Sequence, residues 1–206
     1  MILFEHPFTC IVAGPTKVGK TEWVKRLVSL KEKLIVPVPI KVIWCYTEWQ
    51  PAYQNLDGIE WHEGVPEISK LQQDKDQPKM LVLDDLMDTL KKDTRLTQLF
   101  IKGAHHWNIS IIHICQALFY EGLRTARLNA HYLVLMKSPS DKLQISNLAK
   151  QVYPGQTKFF MDAYNDATSQ RFGYLVVNLN PTTDDDKRLL SDIFDTSYCT
   201  VYIPKG

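Results

Sequence analysis

The sequence lacks several features that would assign it to a specialised class of protein. No apolar run reaches the roughly 20 residues that a membrane-spanning helix needs, and residues 1–6 do not resemble a signal peptide. Internal repeats and low-complexity tracts are absent too. The net charge is only +1, so a surface that binds nucleic acid would have to be a local patch. The four cysteines form no C-x-x-C pair and three stand in apolar runs, which favours reduced thiols in an intracellular protein.

The composition is that of an ordinary globular protein, with 45% hydrophobic and 23% charged residues over 206 positions. We expect a single domain over 1–206, with a core at about 6–194 and a C-terminal tail at 195–206 that matches no pattern. Apolar runs alternate with helical patterns, which predicts an α/β fold with a mostly parallel sheet flanked by helices. The predicted strands are 8–13, 41–46, 79–84, 109–115, 131–136 and 172–178, with a short strand near 59–61, and the predicted helices are 20–32, 93–103, 139–151, 156–167 and 184–194.

A glycine-rich loop follows the first predicted strand and matches the phosphate-binding pattern G-x-x-x-x-G-K-[ST]. A predicted helix follows it, and strand, glycine loop and helix in this order are what phosphate binding requires. Backbone N–H groups of the loop, the Lys20 ammonium and the positive end of the helix dipole would bind the phosphates of ATP, while the Thr21 hydroxyl would ligate Mg²⁺. The loop residues are Gly14, Pro15, Thr16, Lys17, Val18, Gly19, Lys20 and Thr21.

Asp84 ends the apolar strand 79–84, and Asp85 directly follows it. Ligands of parallel sheets bind at the carboxyl ends of the strands, so both carboxylates should lie beside the phosphate loop. Asp84 would hold the Mg²⁺ shell, and Asp85 would orient or deprotonate the attacking water. Glu is the usual residue at the second position in ATPases that activate water directly, and Asp is one methylene shorter.

The strand 109–115 ends in Gln116. An amide at the tip of a strand beside the Asp84 strand can contact both the γ-phosphate and the attacking water, and can therefore report whether ATP or ADP is bound. The alternative is a glutamine that merely caps a loop.

These three motifs, in this order, resemble the additional-strand ATPases of the FtsK/HerA superfamily. Within it the chain resembles viral genome-packaging ATPases of the poxvirus type, and most closely those of Maverick/Polinton elements and adintoviruses. The resemblance implies a RecA-like P-loop NTPase core that forms a homo-oligomeric ring and uses ATP to pump double-stranded DNA into a capsid. It also implies capsid or portal partners and a location inside the infected host, in the nucleus or a cytoplasmic factory, or associated with the virion. The segments that carry it are 43–50, 83–87, 99–106, 116–119, 128–132 and 172–175.

An arginine from a neighbouring subunit usually completes the site of a ring ATPase. Arg124 and Arg127 follow the Gln116 strand, and we prefer Arg127, although both could be solvated surface residues. Channel-facing cations would contact DNA phosphates without regard to sequence. The candidates for that contact are Lys91, Lys92, Arg95, Lys102, His105 and His106.

Three aromatic residues, Tyr46, Trp49 and Tyr53, follow the second long strand. One of them could stack on an adenine base. A lining beneath the polar segment 50–78 is the alternative.

Other functions remain open at the level of sequence. A P-loop nucleotide or small-molecule kinase shares the loop and the α/β layout, but Asp84 and Asp85 followed by a strand-terminal Gln116 argue against it. A DNA helicase or translocase that is not tied to packaging uses the same chemistry. A binding module without turnover is disfavoured by intact Lys20, Thr21 and Asp84.

Overall fold

A nine-stranded sheet forms the centre of the protein, in a computed structural model that describes residues 4–54, 56–86, 95–120, 122–195 and 197–204. Its strands are β2 (Thr9–Ala13), β4 (Lys41–Tyr46), β5 (Ile59–Glu63), β6 (Lys79–Asp84), β7 (Ile109–Cys115), β8 (Tyr132–Met136), β9 (Tyr174–Asn178), β10 (Leu189–Ser191) and β11 (Thr200–Tyr202), while β1 (Phe4–Glu5) and β3 (Ile35–Val36) form a separate pair. The strand order is β5-β4-β6-β7-β2-β8-β9-β10-β11. The six strands from β5 to β8 in that order are parallel, and β9, β10 and β11 add antiparallel pairs at one side.

One strand, β7, stands between β2 and β6. The register pairs Ala13 with Cys115, and Asp84 with Ile114, so the carboxyl ends of β2, β7 and β6 meet at one edge of the sheet. An extra strand between the phosphate-loop strand and the aspartate strand defines the additional-strand class. The predicted fold class, a P-loop NTPase fold with a mostly parallel sheet flanked by helices, is confirmed.

Helices cover both faces of the sheet. They are α1 (Lys20–Ser29), α2 (Lys31–Leu34), α3 (Ile68–Leu71), α4 (Arg95–Gln98) continuing through a π-helical stretch (Leu99–Gly103) into α5 (Ala104–His106), α6 (Leu123–Leu128), α7 (Lys142–Val152) and α8 (Thr157–Ala167). α1 and α2 pack on one face, where Trp23, Leu27 and Leu34 meet the inward side chains of the strands. The remaining longer helices pack on the other face and bury a second apolar cluster. None of the helices in these described ranges has the length and apolarity to cross a membrane.

The predicted helix at 184–194 is wrong. Asp185–Lys187 forms a single 3₁₀ turn, and Leu189–Ser191 pairs with β9 as a strand. The apolar residues at 189, 190, 193 and 194 have helical spacing, but sheet pairing buries Leu189 and Leu190 and overrides it. Ion pairs from Lys187 to Asp184 and from Arg188 to Asp185 link residues within and beside the turn.

Smaller differences have local causes. The predicted helix 20–32 is interrupted at Leu30 and divides into α1 and α2. The predicted strand 172–178 begins only at Tyr174, because Phe172 has a left-handed φ of 63°. The tail, for which no pattern was found, contributes β11 to the sheet through its antiparallel pairing with β10.

Candidate nucleotide-binding site

The phosphate loop connects the last residue of β2 to the first residue of α1. Its backbone has positive φ at Lys17 (67°) and Gly19 (98°), which curls the chain before the helix begins. A Cβ at Gly14 would lie 2.6 Å from the Cβ of Met136 on β8, so only glycine fits there. The loop therefore has the tight curvature that lets successive N–H groups face a phosphate.

Phe172 covers the other glycine of the loop. A Cβ at Gly19 would lie 2.9 Å from Cδ1 of the Phe172 ring. The ring is 54% exposed, and the Arg171 guanidinium lies 4.7 Å from its centre. This contact could not be predicted from the sequence, because it joins residues that are far apart in the chain and carries no local signal.

The Lys20 side chain folds back onto the phosphate loop. Its ammonium donates hydrogen bonds to the carbonyl oxygens of Gly14 (2.7 Å) and Pro15 (2.8 Å). Burial lowers the pKa of Lys20, and the acidic groups of Cys115, Asp84 and Asp85 partly oppose that shift. The cation is thus held at the mouth of the loop by two weak acceptors that phosphate oxygens can replace.

Asp84 lies on the face of β6 that α1 covers, because it continues the alternation of Met80 and Val82. It is buried, and its Oδ2 accepts hydrogen bonds from the hydroxyls of Thr21 (3.2 Å) and Tyr53 (3.0 Å). Burial raises the pKa of this carboxyl to about 6, although the two hydroxyl donors lower it. A carboxylate beside a hydroxyl offers the oxygen ligands that Mg²⁺ prefers, so Thr21 and Asp84 fit the predicted metal site.

Asp85 and Gln116 border the same space from two neighbouring strands. Asp85 has a φ of 54° and an exposed side chain, and its carbonyl accepts a hydrogen bond of 2.9 Å from Thr47. Gln116 directly follows β7 and is exposed as well. Both line an open cavity of about 310 Å³ together with Thr16, Lys17, Gly19, Lys20, Thr21 and Asp84.

Arg127 lies outside the cavity that the other predicted catalytic residues line. Its guanidinium stacks at 4.3 Å on the Phe119 ring, donates a hydrogen bond of 3.1 Å to Gln151, and does not line the cavity. Burial lowers its pKa, as does the nearby Arg124, whose side chain is exposed. An arginine that acts on a neighbouring subunit need not approach the cavity of its own chain, so its role stays a prediction.

The candidate DNA contacts are dispersed. Arg95 donates a hydrogen bond of 3.0 Å to the carbonyl of Val65, whereas Lys102 and His106 are exposed. Lys91 and Lys92, and the side chain of His105, lie outside the described residues. Trp107, which follows these histidines, is buried in the core.

Among the solved structures with a similar fold are genome-packaging NTPases of viruses. The genome-packaging NTPase B204 of Sulfolobus turreted icosahedral virus 2, solved with sulfate, gives a TM-score of 0.61 at 12% identity over 96% of each chain. The same protein solved with AMPPCP gives 0.57 at 13% identity, over 97% of this chain and 98% of that one. B204 of Sulfolobus turreted icosahedral virus, a DNA-packaging ATPase, gives a TM-score of 0.60 at 14% identity, over 98% of this chain and 99% of that one.

No protein-family model matches the chain, and no curated protein matches it significantly. The similarity therefore lies in the fold, which extends over almost the full length of both chains.

Proposed function

We propose that this protein is an ATP-driven motor that hydrolyses ATP to ADP and phosphate and translocates double-stranded DNA into a capsid. One observation carries the proposal. Lys20 and Thr21 begin α1 directly after the loop that leaves β2, Asp84 ends β6, and Asp85 and Gln116 directly follow β6 and β7. All five border a single cavity at the carboxyl edge of the sheet.

In this proposal the phosphate loop binds the triphosphate of ATP. The loop amides and the first turn of α1 supply N–H donors, and the Lys20 ammonium exchanges the carbonyls of Gly14 and Pro15 for phosphate oxygens. Thr21 and Asp84 would hold Mg²⁺, which neutralises negative charge on the phosphates when it is bound.

Hydrolysis needs a water that is aligned with the γ-phosphate. The Asp85 carboxylate is exposed at the cavity and takes the role of general base, accepting the proton of that water. Gln116 at the tip of the adjacent strand orients the water and senses the γ-phosphate. Its position directly before residues 117–120 couples nucleotide state to that loop, which Tyr120 ties to buried His113 by a hydrogen bond of 2.8 Å.

The remaining parts of the proposal concern assembly. The subunits form a ring in which Arg127 of one subunit stabilises the phosphoryl group bound to the next, and the ring acts with capsid or portal proteins inside the infected host. Likeness in fold to two packaging NTPases over nearly whole chains supports this part. Arg127→Ala should abolish hydrolysis and leave ATP binding intact. Loss of both together, or of neither, would remove Arg127 from this role.

Steady-state ATP hydrolysis with and without double-stranded DNA tests the function. We expect DNA to raise the rate of hydrolysis several-fold. Lys20→Ala should abolish hydrolysis, since the charge-assisted contacts of the ammonium with phosphate oxygens, about 1.5–3 kcal/mol each, are removed. Lys150→Ala, which changes an exposed lysine on α7, is the matched control. Conversion of ATP to ADP that depends on a small phosphoryl acceptor, phosphorylates that acceptor and does not respond to DNA would indicate a kinase instead.

A further inference from the structure

The connection after β4 folds back over the aspartates of the candidate site. Residues 51–53 form a 3₁₀ turn that ends in Tyr53, whose side chain is 1% exposed. The Tyr53 hydroxyl donates to Oδ2 of Asp84 at 3.0 Å. Thr47, in the same connection, donates to the carbonyl of Asp85 at 2.9 Å. Both aspartates are thus tied to a segment outside the phosphate loop.

The orientation of Tyr53 is fixed by an aromatic cluster composed of Trp44, Tyr46, Trp49, Tyr53 and Trp61. The Tyr53 ring centre lies 5.1 Å from that of Trp61, 5.5 Å from Trp49, 5.7 Å from Trp44 and 5.8 Å from Tyr46. Rings at these separations pack favourably and restrict rotation, so the hydroxyl has one direction in which to point. That direction leads to Asp84.

The two hydroxyls that donate to Asp84 have different roles in nucleotide binding. Thr21 belongs to the phosphate loop and α1, and its oxygen is also a predicted metal ligand. Tyr53 has no such second task, and its donor group is held by side chains that belong to β4, β5 and the connection between them. Second donors of this kind orient ligating carboxylates and tune their affinity for metal.

We propose that Tyr53 is a positioning residue that holds the Asp84 carboxylate in the orientation needed to bind Mg²⁺ with ATP. The proposal rests on the function proposed above. It also gives the aromatic cluster a role other than stacking on adenine, since the cluster orients the donor that fixes Asp84.

Tyr53→Phe tests this inference because it removes one hydroxyl and keeps the ring. Calorimetric titration with the non-hydrolysable analogue AMPPCP, in EDTA and in increasing Mg²⁺, separates metal-dependent from metal-independent binding. We expect affinity in EDTA to stay within about twofold and the half-saturating Mg²⁺ concentration to rise about 10-fold. Tyr46→Phe, which removes the hydroxyl of another tyrosine in the aromatic cluster, should change neither value.

Two results would overturn the inference. One is a Mg²⁺ dependence of Tyr53→Phe that equals that of the wild type. The other is an equal loss of affinity with and without Mg²⁺ in a variant whose thermal unfolding is unchanged, since that would mean general damage to the pocket. Failure of the proposed function itself is distinguishable, because Lys20→Ala would then bind AMPPCP as tightly as the wild type does.

Discussion

The two ends of β2 and β7 differ in how their polar groups are satisfied. At the carboxyl edge, a buried carboxylate with a raised pKa and a lysine resting on two carbonyls face an open cavity. At the amino edge, His6, Asn108 and Ser110 form a closed chain of hydrogen bonds. His6 donates from Nε2 to Asn108 at 2.9 Å and accepts from Ser110 at 2.6 Å, while Ser110 accepts from the Phe8 amide at 3.1 Å.

The polar groups at the amino edge of this sheet contribute to stability, whereas those at the carboxyl edge are available for binding and catalysis. At the amino edge the His6 imidazole and the Ser110 hydroxyl have their hydrogen-bond partners within the protein. At the carboxyl edge the Asp84 carboxylate is buried, and the Lys20 ammonium donates to carbonyl oxygens. This arrangement lowers the stability of the fold and favours the binding of a ligand. Substitutions at the two edges should therefore have opposite consequences.

Asp85→Asn should have the largest effect, and only the rate of the hydrolysis step should change. Without a carboxylate to accept the proton of the attacking water, turnover should fall about 10²- to 10⁴-fold. Affinity for ATP and the free energy of unfolding should stay close to those of the wild type, because the Asp85 side chain is exposed. Single-turnover hydrolysis beside equilibrium binding measures both, with Asp57→Asn as an exposed control. Normal turnover would remove Asp85 from the catalytic role.

His6→Ala should lower stability and leave nucleotide binding unchanged. It leaves Ser110 and Asn108 without their imidazole partner and should lower the free energy of unfolding by about 2–4 kcal/mol. ATP affinity of the folded fraction should not change. Urea unfolding and nucleotide binding can be compared with those of His106→Ala, which alters an exposed side chain. A drop in ATP affinity without a loss of stability would contradict the separation of the two edges.

Asp84→Asn should stabilise the nucleotide-free protein while it abolishes hydrolysis. Burial raises the pKa of this carboxyl from 3.8 to about 6, so ionisation costs the folded state free energy that the unfolded chain does not lose. The cost develops as pH rises from 3.8 through 6 and amounts to about 1–3 kcal/mol above that range. Asparagine keeps an oxygen that can accept from Tyr53 and Thr21.

Urea unfolding in EDTA at several pH values measures that gain. It should be largest near pH 8 and shrink as pH falls from 6 toward 4. The amino edge should respond to pH with the opposite sign. Burial lowers the pKa of His6, so its contribution is present above the unfolded value of 6.5 and is lost as pH falls through the folded value. A gain in Asp84→Asn that did not depend on pH would contradict this account.

Much of the carboxyl edge could be predicted from the sequence, because its parts are local. The strands 41–46, 79–84 and 109–115 have the predicted bounds, and the residues that follow them stand where parallel pairing predicts. The contacts of Tyr53 with Asp84 and of Phe172 with Gly19 join segments 31 and 153 positions apart, and no short pattern encodes them. The strand at 189–191 has helical spacing and is decided by pairing with β9, which only the fold supplies.

ATP-driven displacement of a third strand from duplex DNA tests the central claim most directly. A triplex-forming oligonucleotide bound to one site on a duplex should be released by the protein with ATP and Mg²⁺, and should stay bound with AMPPCP or with Lys20→Ala. Vigorous ATP hydrolysis with no release of the oligonucleotide, in the presence of the assembled ring, would contradict the assignment of this fold to DNA translocation.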